Sequence, residues 1–345
     1  MNDYNFYGKF STGSSFDGMH KNFYSKKNIL HISRLINKNL KKMGIKKNFL
    51  KDKIIMNVGS GRESLALLNY NPKKIFHYDI SNTNIKRFKK YIVKNNLESK
   101  IISFQKDISK AKLPKKKFDF IYLHGIIQHV DKVNKAIDNL ISSMKLNGKM
   151  WFYFYRAGSF NIFLGSLQRF FLEKIKIHTF KNYLVNNIKD KNFIDGIMDD
   201  CYVPNRQLFF PIDYKNYIER NGCKIYGNTF LKKYYPKIDF MNYHQSVVFF
   251  VKKKSNLRSR VKTLDKKYNI NVLDKKFYKD ENLIFILENL KKIRKRSTNN
   301  VFLLIVEIEK IKQIIVKNFF KHRKLNKKKL NFFLKKLKII INNEL

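Results

Sequence analysis

The sequence predicts an α/β protein with a doubly wound, mostly parallel sheet, and three observations favour this fold class. Short apolar runs typical of buried strands alternate five times with amphipathic helical segments between residues 54 and 155. The first run, residues 54–58, ends in a pair of glycines and leads into helix-forming sequence. Acidic residues follow the second and third runs, at Asp79 and Asp107, where the ends of parallel strands form a ligand-binding edge.

The loop Gly59-Ser60-Gly61 is the first candidate ligand-binding element. Glycine permits backbone angles that other residues avoid, and it lets a ligand approach the main chain closely. The helix that starts near Ser64 would point unpaired N–H groups at the same place. Because glycine pairs also mark ordinary turns, the loop indicates a nucleotide-type pocket only together with the features that follow it.

The two acids each have a binding and a structural interpretation. Asp79 follows the strand 74–78 and lies 20 residues after Gly59, which is the separation typical of a carboxylate that accepts from both ribose hydroxyls of an adenosine group. It could instead cap the helix predicted over residues 82–95. Asp107 follows the third strand and repeats the Asp-Ile-Ser pattern, and its alternative role is an Asx turn.

The fourth strand, residues 118–124, places two histidines at the same edge of the predicted sheet. His124 ends this strand and His129 follows shortly after it. An imidazole titrates near neutrality, which suits proton removal, although either ring could serve only the local structure. The fifth strand ends at Tyr155, and Arg156 comes next; both are candidates for orienting an acceptor.

The chain divides into three predicted regions. Residues 1–49 are a lead-in whose first part is aromatic and is a candidate lid. Residues 50–252 form the core domain, with a helical insertion at 158–204, and residues 253–345 form a basic helical extension. Besides the helices that follow the first two strands, helices are predicted at residues 28–43, 131–146, 160–171, 183–198, 211–221, 283–293, 301–320 and 325–341.

The net charge of +47, from 73 Lys and Arg against 26 Asp and Glu, favours contact with nucleic acid or an anionic membrane surface. The charge is densest after residue 251, where 28 basic residues stand against 8 acidic ones. The heavy use of Ile, Asn, Lys, Phe and Tyr also fits the compositional bias of an A+T-rich coding sequence. Both explanations of the charge stay open at this point.

The cysteine count and the hydropathy pattern indicate the cellular compartment. The sequence contains only Cys201 and Cys223, so it predicts neither a disulfide framework nor a cysteine-rich zinc site, and no metal site is expected. No apolar run approaches the length of about 18 to 20 residues that a membrane span requires. These observations predict a reduced, soluble, cytoplasmic protein.

The ordered set of motifs resembles the class I S-adenosylmethionine-dependent methyltransferases. The resemblance covers about residues 50–252 and rests on Asn57-Val58-Gly59-Ser60-Gly61, Asp79, Asp107, Phe118-Asp119-Phe120-Ile121, Gly125-Ile126-Ile127-Gln128-His129-Val130 and Leu146-Asn147-Gly148-Lys149. The family usually has an acid at the place of Asn57 and often a further glycine at that of Glu63. The resemblance implies a seven-stranded sheet whose last two strands, residues 223–230 and 244–252, form an antiparallel closing pair.

The resemblance also implies S-adenosyl-L-methionine as the cofactor and assigns residues to its parts. The loop would hold the amino-acid end, the acid after the second strand the ribose, and the acid after the third strand the adenine amine. The cofactor-binding residues implied in this way are Asn57, Gly59, Ser60, Gly61, Asp79, Ile80, Asp107, Ile108 and His124.

The favoured function is methyl transfer to a small-molecule acceptor, with a hydroxyl preferred. The aromatic lead-in and the insertion are expected at the edge of the cleft, where they could close over an acceptor and exclude water. His129 is the first candidate for the base and His124 the second. Two alternatives stay open: a methyltransferase that acts on RNA or another macromolecule through the basic extension, and a non-catalytic methyltransferase-like binding protein.

Overall fold

The computed structural model describes residues 24–203, 205–229, 246–255, 271–295, 297–322 and 327–343. The aromatic residues at the start of the lead-in lie outside these ranges, and so do residues 230 and 244–245 of the predicted closing strands. The prediction that the lead-in acts as a lid therefore concerns residues outside the described part of the chain.

The strands form a seven-stranded sheet in the order β3-β2-β1-β4-β5-β7-β6. Strands β1 to β5 pair in parallel, whereas β7 runs antiparallel to both of its neighbours, β5 and β6. The predicted fold class, a mostly parallel sheet with an antiparallel closing strand, is confirmed. The strands are β1 (Ile54–Val58), β2 (Lys74–Asp79), β3 (Ile101–Gln105), β4 (Phe118–His124), β5 (Met144–Tyr155), β6 (Cys223–Thr229) and β7 (Ser246–Lys253).

Helices cover both faces of the sheet because successive side chains of each strand point to opposite faces. Along β1, Ile55 packs on one face with the helices over residues 26–42, 62–67 and 82–94. Met56 packs on the opposite face with the helices over residues 133–143 and 211–220. The helices are α1 (Lys26–Lys42), α2 (Arg62–Leu67), α3 (Asn82–Lys94), α4 (Val133–Ser143), α5 (Phe160–Leu172), α6 (Ile177–Asn187), α7 (Lys191–Tyr202), α8 (Pro211–Arg220), α9 (Glu281–Arg294), α10 (Thr298–His322) and α11 (Lys327–Asn343).

The join between α4 and β5 differs from the prediction. The sequence predicts that the helix continues to the Asn147-Gly148 pair, but α4 ends at Ser143 and β5 begins at Met144. The Asn147-Gly148 pair lies instead in an irregular part of the strand, because Phe118 pairs with Met144 whereas Phe120 pairs with Lys149. Asn147 has a φ of 62°, a left-handed conformation that asparagine tolerates better than most residues.

The insertion also differs from the prediction, because the helix expected over residues 183–198 is two helices, α6 and α7. The backbone leaves the helical conformation at Ile188. The carboxylate of Asp190 then accepts from the backbone N–H of Phe193 at 3.2 Å, as a residue that caps a new helix does. The described insertion is therefore a set of three helices, α5, α6 and α7.

The insertion and the C-terminal extension share one hydrophobic core. Buried residues of α5, α6 and α7 pack with buried residues of α9, α10 and α11, among them Phe163, Leu167, Ile197, Ile286, Ile305 and Leu337. The extension is thus packed into a helical layer together with the insertion. None of the described helices is long and apolar enough to cross a membrane.

A buried ionic network joins the extension to the insertion within this helical layer. The Nζ of Lys312, on α10, donates to Asp200 at 2.8 Å, to Glu309 at 2.7 Å and to Gln168 at 3.1 Å. Burial alone would lower the pKa of Lys312, but the two carboxylates raise it, so the lysine stays charged. Removing one partner from such a buried network would leave an uncompensated charge.

Candidate active site

A cavity of about 350 Å³ lies at the carboxyl ends of the parallel strands. It falls between β1 and β4, where the strand order reverses, and this is the position at which open α/β sheets bind ligands. Its volume lies within the range of about 300 to 1,000 Å³ that small-molecule pockets have. Nine residues predicted from the sequence line it: Gly59, Ser60, Asp79, Ile80, Asp107, Ile108, His124, His129 and Tyr155.

The glycine loop owes its shape to two left-handed residues. Gly59 has a φ of 135° and lines the cavity, and a Cβ built there would make only ordinary contact with Ile126, so the backbone angle is what requires glycine. Gly61 has a φ of 95° and caps α2, and a Cβ there would come within 2.8 Å of the Phe88 ring. Gly61 therefore supports the loop from the side of α3.

Asn57 lies behind the loop and does not line the cavity. Its side chain is fully buried, its Nδ2 donates to the carbonyl of Tyr122 at 3.2 Å, and its Oδ1 accepts from the Ser64 hydroxyl at 2.8 Å. The same hydroxyl lies 3.2 Å from Nδ1 of His77. Asn57 thus links β1 to β4 and to the start of α2.

Asp79 combines a local structural role with a place in the cavity wall. Its two carboxylate oxygens accept from the backbone N–H of Ser81 at 2.7 Å and from Nδ2 of Asn84 at 3.1 Å. The cap of α3 is Ser81, whose hydroxyl accepts from the backbone N–H of Asn84, so the alternative that Asp79 itself caps this helix does not hold. Burial raises the pKa of the Asp79 carboxyl to about 7, although these hydrogen bonds lower it. Further hydrogen-bond donors, such as those of a ligand, would stabilise the ionised form of this carboxyl.

Asp107 forms the Asx turn that the sequence analysis kept as an alternative, and it also lines the cavity. One carboxylate oxygen accepts from the backbone N–H of Ser109 at 2.8 Å and from its hydroxyl at 2.7 Å. The other oxygen lies 3.6 Å from Nζ of Lys110. The turn orients the carboxylate at the edge of the cavity, so the two interpretations are compatible.

The hydrogen bonds of His124 assign its tautomer. Its Nδ1 lies 3.3 Å from Nε1 of Trp151, and an indole N–H can only donate. Nδ1 must therefore accept, and the proton of the neutral ring is on Nε2. The ring stacks on Tyr153 with a centroid distance of 4.1 Å. Burial lowers the pKa of His124, so the neutral ring, which presents an N–H from Nε2, is the favoured form.

His129 has the opposite tautomer. It ends a short 3-10 turn, Ile127–His129, and its Nδ1 lies 2.8 Å from the backbone carbonyl of Asn205. Because a carbonyl can only accept, the proton is on Nδ1 and the lone pair is on Nε2. Burial lowers the pKa of His129 to about 4, with a further lowering by Arg206, although the Asn205 carbonyl raises it. Of the two histidines, His129 is the one whose neutral form can act as a base.

The two candidate acceptor residues lie in different surroundings. Tyr155 lines the cavity and contacts His129 edge to face, with ring centroids 5.9 Å apart. Arg156 is 3% exposed, does not line the cavity, and forms a backbone bridge with Phe209. The structure therefore brings Tyr155, but not Arg156, to the cavity.

Several residues of the cavity wall were not predicted from the sequence. They are Arg62, Glu63, Asn84, Lys106, Asp131, Tyr153 and Val203. The first four directly precede, follow or cap predicted elements, so their neighbourhood could have indicated them. Val203 belongs to the insertion, and no local pattern connects it to the sheet edge.

Two segments outside the parallel strands hold the loops of the cavity. The backbone N–H of Gln207, just after the insertion, donates to the carbonyl of Gln128 at 2.7 Å, and its side chain donates to the carbonyls of Val130 and Asp131 at 2.8 and 2.7 Å. The hydroxyl of Tyr24, in the lead-in, donates to the carbonyl of Ser60 at 3.0 Å. Both the segment after the insertion and the lead-in therefore contact the loops that form the cavity.

Comparison with known proteins adds a family match. Residues 56–152, from β1 into β5, match the family model described as a methyltransferase domain. Among curated proteins, no sequence matches this chain. Solved structures that are similar to it include an S-adenosylmethionine-dependent methyltransferase from Mesorhizobium loti, with 11% identity and a TM-score of 0.44 over 62% of this chain and 96% of that one.

Two further solved structures match over a smaller part of their own length. One is a protein assigned as a sarcosine dimethylglycine methyltransferase from Galdieria sulphuraria, with 13% identity and a TM-score of 0.40 over 58% of this chain and 62% of that one. The other is the cyclase SpnF, with 15% identity and a TM-score of 0.32 over 35% of this chain and 44% of that one. This chain thus covers less than two thirds of both proteins.

The family match falls on the strands and loops that form the cavity, and their order along the chain is the one that the sequence analysis derived from the glycine loop and the two acids. Residues 56–152 therefore match a methyltransferase domain, and the described sheet that contains them has the doubly wound α/β fold that the sequence predicts.

Proposed function

We propose that the enzyme methylates a hydroxyl group of a small molecule and that His129 is the general base. The observation that carries this proposal is the hydrogen bond between Nδ1 of His129 and the carbonyl of Asn205, because it fixes the tautomer whose Nε2 can accept a proton. Its counterpart, His124, has the tautomer that donates. The two histidines thus have separable roles at one edge of the sheet.

The cavity residues fit S-adenosylmethionine, which supplies a methyl group on a positively charged sulfur. The loop at Gly59 and Ser60 offers close backbone approach to the amino-acid end. Asp79 offers a buried carboxylate for the ribose hydroxyls, whose hydrogen bonds would stabilise the ionised form that burial disfavours. Asp107 and Ile108 would hold the adenine amine and ring, as the family resemblance implies.

The low pKa of His129 has a consequence for the mechanism. A ring with a pKa of about 4 is neutral at physiological pH, so Nε2 is unprotonated there, while the same low pKa makes the ring a weaker base than an ordinary imidazole. The methyl donor already carries the driving force of a positive leaving group, so the protein mainly aligns the acceptor and removes its proton. His129 would take the hydroxyl proton on Nε2 while Tyr155 packs against its ring.

The surroundings of the cavity favour a small acceptor. Tyr24 holds the glycine loop through its hydrogen bond to Ser60, and its ring packs on Phe88 and Tyr91 with centroid distances of 5.6 and 4.9 Å. Val203 lines the cavity, and Gln207, which follows it in the chain, holds the carbonyl of Val130. A polymer would need an open groove at this edge, whereas an enclosed site excludes water from the reaction.

The test begins with a screen of metabolites against labelled S-adenosylmethionine to identify a hydroxyl acceptor. With that acceptor, we expect His129→Ala to lower kcat by about 10² or more while the Kd of the cofactor stays nearly unchanged. His178→Ala is the matched control, because this exposed histidine on α6 does not line the cavity. Full turnover in His129→Ala would refute its role as the base, and a preference for intact RNA or protein would refute the small-molecule acceptor.

A further inference from the structure

A second cavity, of about 590 Å³, adjoins the first. It lies between α5, the end of α7 and the residues that precede α9, where the insertion meets the extension. Val203 lines both cavities. The side chain of Val203 is buried, so it forms a wall that the two cavities share.

Arg206 gives the second cavity a positive charge that lacks a hydrogen-bonded counterion. Its Nε and Nη1 are out of contact with water and have no hydrogen-bond partner within the described part of the chain. The guanidinium packs against α5 at Gly165, where an added Cβ would crowd it at 3.1 Å from Nη1. Arg206 as a whole is partly exposed. A guanidinium whose N–H groups lack acceptors is costly, and an anionic ligand beside it would offset this cost.

The other charged groups around this cavity already have partners. The carboxylate of Asp200 lies 2.8 Å from Nζ of Lys312, and Glu173, which lines the cavity, lies 2.7 Å from Arg294. Arg169, which also lines it, donates to the backbone carbonyl of Asp200 at 3.4 Å. Asp200 and Glu309 share the single positive charge of Lys312, while Arg169 and Arg206 both lie near enough to Asp200 to lower its pKa. These five groups carry three positive and two negative charges, and the net charge of +1 matches a monoanion better than a phosphate dianion.

The rest of the cavity wall is mainly apolar. Phe170, Leu172, Leu208, Val272 and Leu273 line it together with the aromatic ring of Tyr202. An apolar wall with a guanidinium that lacks a hydrogen-bonded acceptor favours a ligand that has an apolar body and a single anionic end. A free inorganic anion would leave most of this surface unused.

We propose that the second cavity binds the carboxylate end of the acceptor, an organic acid with an apolar body whose hydroxyl reaches His129. This inference rests on the function proposed above. The two ends of the acceptor are positioned by one short segment, because Asn205, whose carbonyl holds Nδ1 of His129, is adjacent to Arg206. The segment would therefore set the distance between the bound carboxylate and the base.

The test uses octanoate as the probe and calorimetry on the full chain saturated with S-adenosylhomocysteine. We expect octanoate to bind about tenfold or more tightly than octanamide, which has the same body without the charge, because a charge-assisted hydrogen bond is lost. Octyl phosphate separates the two kinds of anion and should bind more weakly than octanoate. Equal affinities for octanoate and octanamide in the wild-type protein would overturn the proposal.

Variants locate the bound anion. Arg206→Gln should remove the preference for octanoate over octanamide, whereas Arg220→Gln, which removes the same charge from an exposed position on α8, should keep it. A preference that survives in a folded Arg206→Gln protein would overturn the assignment to this arginine. If Arg206→Gln does not fold, the comparison of octanoate with octanamide on the wild type still decides the matter.

The outcome for this cavity can be separated from the outcome for the proposed function. If only neutral hydroxyl compounds are methylated and octanoate does not bind, the methyl-transfer proposal stands and the carboxylate site is refuted. If octanoate binds through Arg206 but no hydroxyl compound is methylated, the anion site stands and the proposed acceptor class is refuted.

Discussion

The binding of the cofactor should depend on pH through Asp79. Burial raises the pKa of this carboxyl to about 7 in the ligand-free protein. Ribose hydroxyls donate to the ionised form, so a bound ligand would return the pKa towards its ordinary value. Below pH 7 the carboxyl must then lose a proton before it accepts these hydrogen bonds, and binding should weaken as the pH falls.

The size of this effect follows from the pKa difference. Each pH unit below the ligand-free pKa corresponds to about 1.4 kcal/mol, or about tenfold in affinity. Between pH 7 and pH 5 the Kd of S-adenosylhomocysteine should therefore rise by about 50-fold, because half of the carboxyl is already protonated at pH 7, provided that the pKa in the complex lies well below 5. The lowered pKa of His129, about 4, keeps that ring neutral throughout this interval.

Titration calorimetry in buffers with different ionisation enthalpies measures both the Kd and the number of protons released. At pH 6 we expect a release of about one proton per ligand bound. Asp79→Asn should weaken binding at pH 8 by about 10- to 100-fold and remove the pH dependence. Asp131→Asn, which changes another acid of the cavity wall, should keep it. A Kd that is constant between pH 5 and pH 7 in the wild type would refute the reasoning.

Three further predictions concern the helical layer, the loop and the surface charge. Lys312→Met should lower the free energy of unfolding by about 3 to 5 kcal/mol, because it leaves buried carboxylates unpaired; denaturant titration should show a much smaller change for Lys310→Met, an exposed lysine of the same helix. Gly61→Ala should weaken cofactor binding, since the added Cβ would come within 2.8 Å of Phe88, and a Kd equal to that of the wild type would contradict this. If the basic extension contacts single-stranded RNA, the slope of log K against log salt should become shallower by about 0.7 for each phosphate-binding lysine that is replaced. The exposed lysines Lys291, Lys292 and Lys335 can be replaced by Gln for this test. An unchanged slope would show that these lysines do not bind the RNA.

The sequence by itself determined the sheet and the edge at which the cavity lies. Each strand is a short apolar run with a local signature, so strand positions agree with the structure except where β5 starts early. The acids at Asp79 and Asp107 could be placed together from the order of strands along the chain, because the carboxyl ends of parallel strands meet at one edge. The same argument brought His124 and His129 to the cavity.

Only the tertiary structure decided the roles of individual groups at that edge. The two histidines look equivalent in sequence, but Trp151 donates to one ring and the carbonyl of Asn205 accepts from the other, which gives them opposite tautomers. Asn57 and Arg156 lie beside predicted ligand-binding positions, yet their side chains are buried behind the cavity wall. Side-chain direction and hydrogen-bond partners depend on neighbours that are distant along the chain.

The tertiary structure also decided where the C-terminal extension lies. Its helical periodicity is visible in the sequence, but an amphipathic pattern does not name the surface that an apolar face will cover. In the structure that surface is the insertion, and the hydrogen bond between Gln168 and Glu309 joins residues 141 positions apart. A contact of this kind depends on how the whole chain folds back on itself, so no local pattern of residues predicts it.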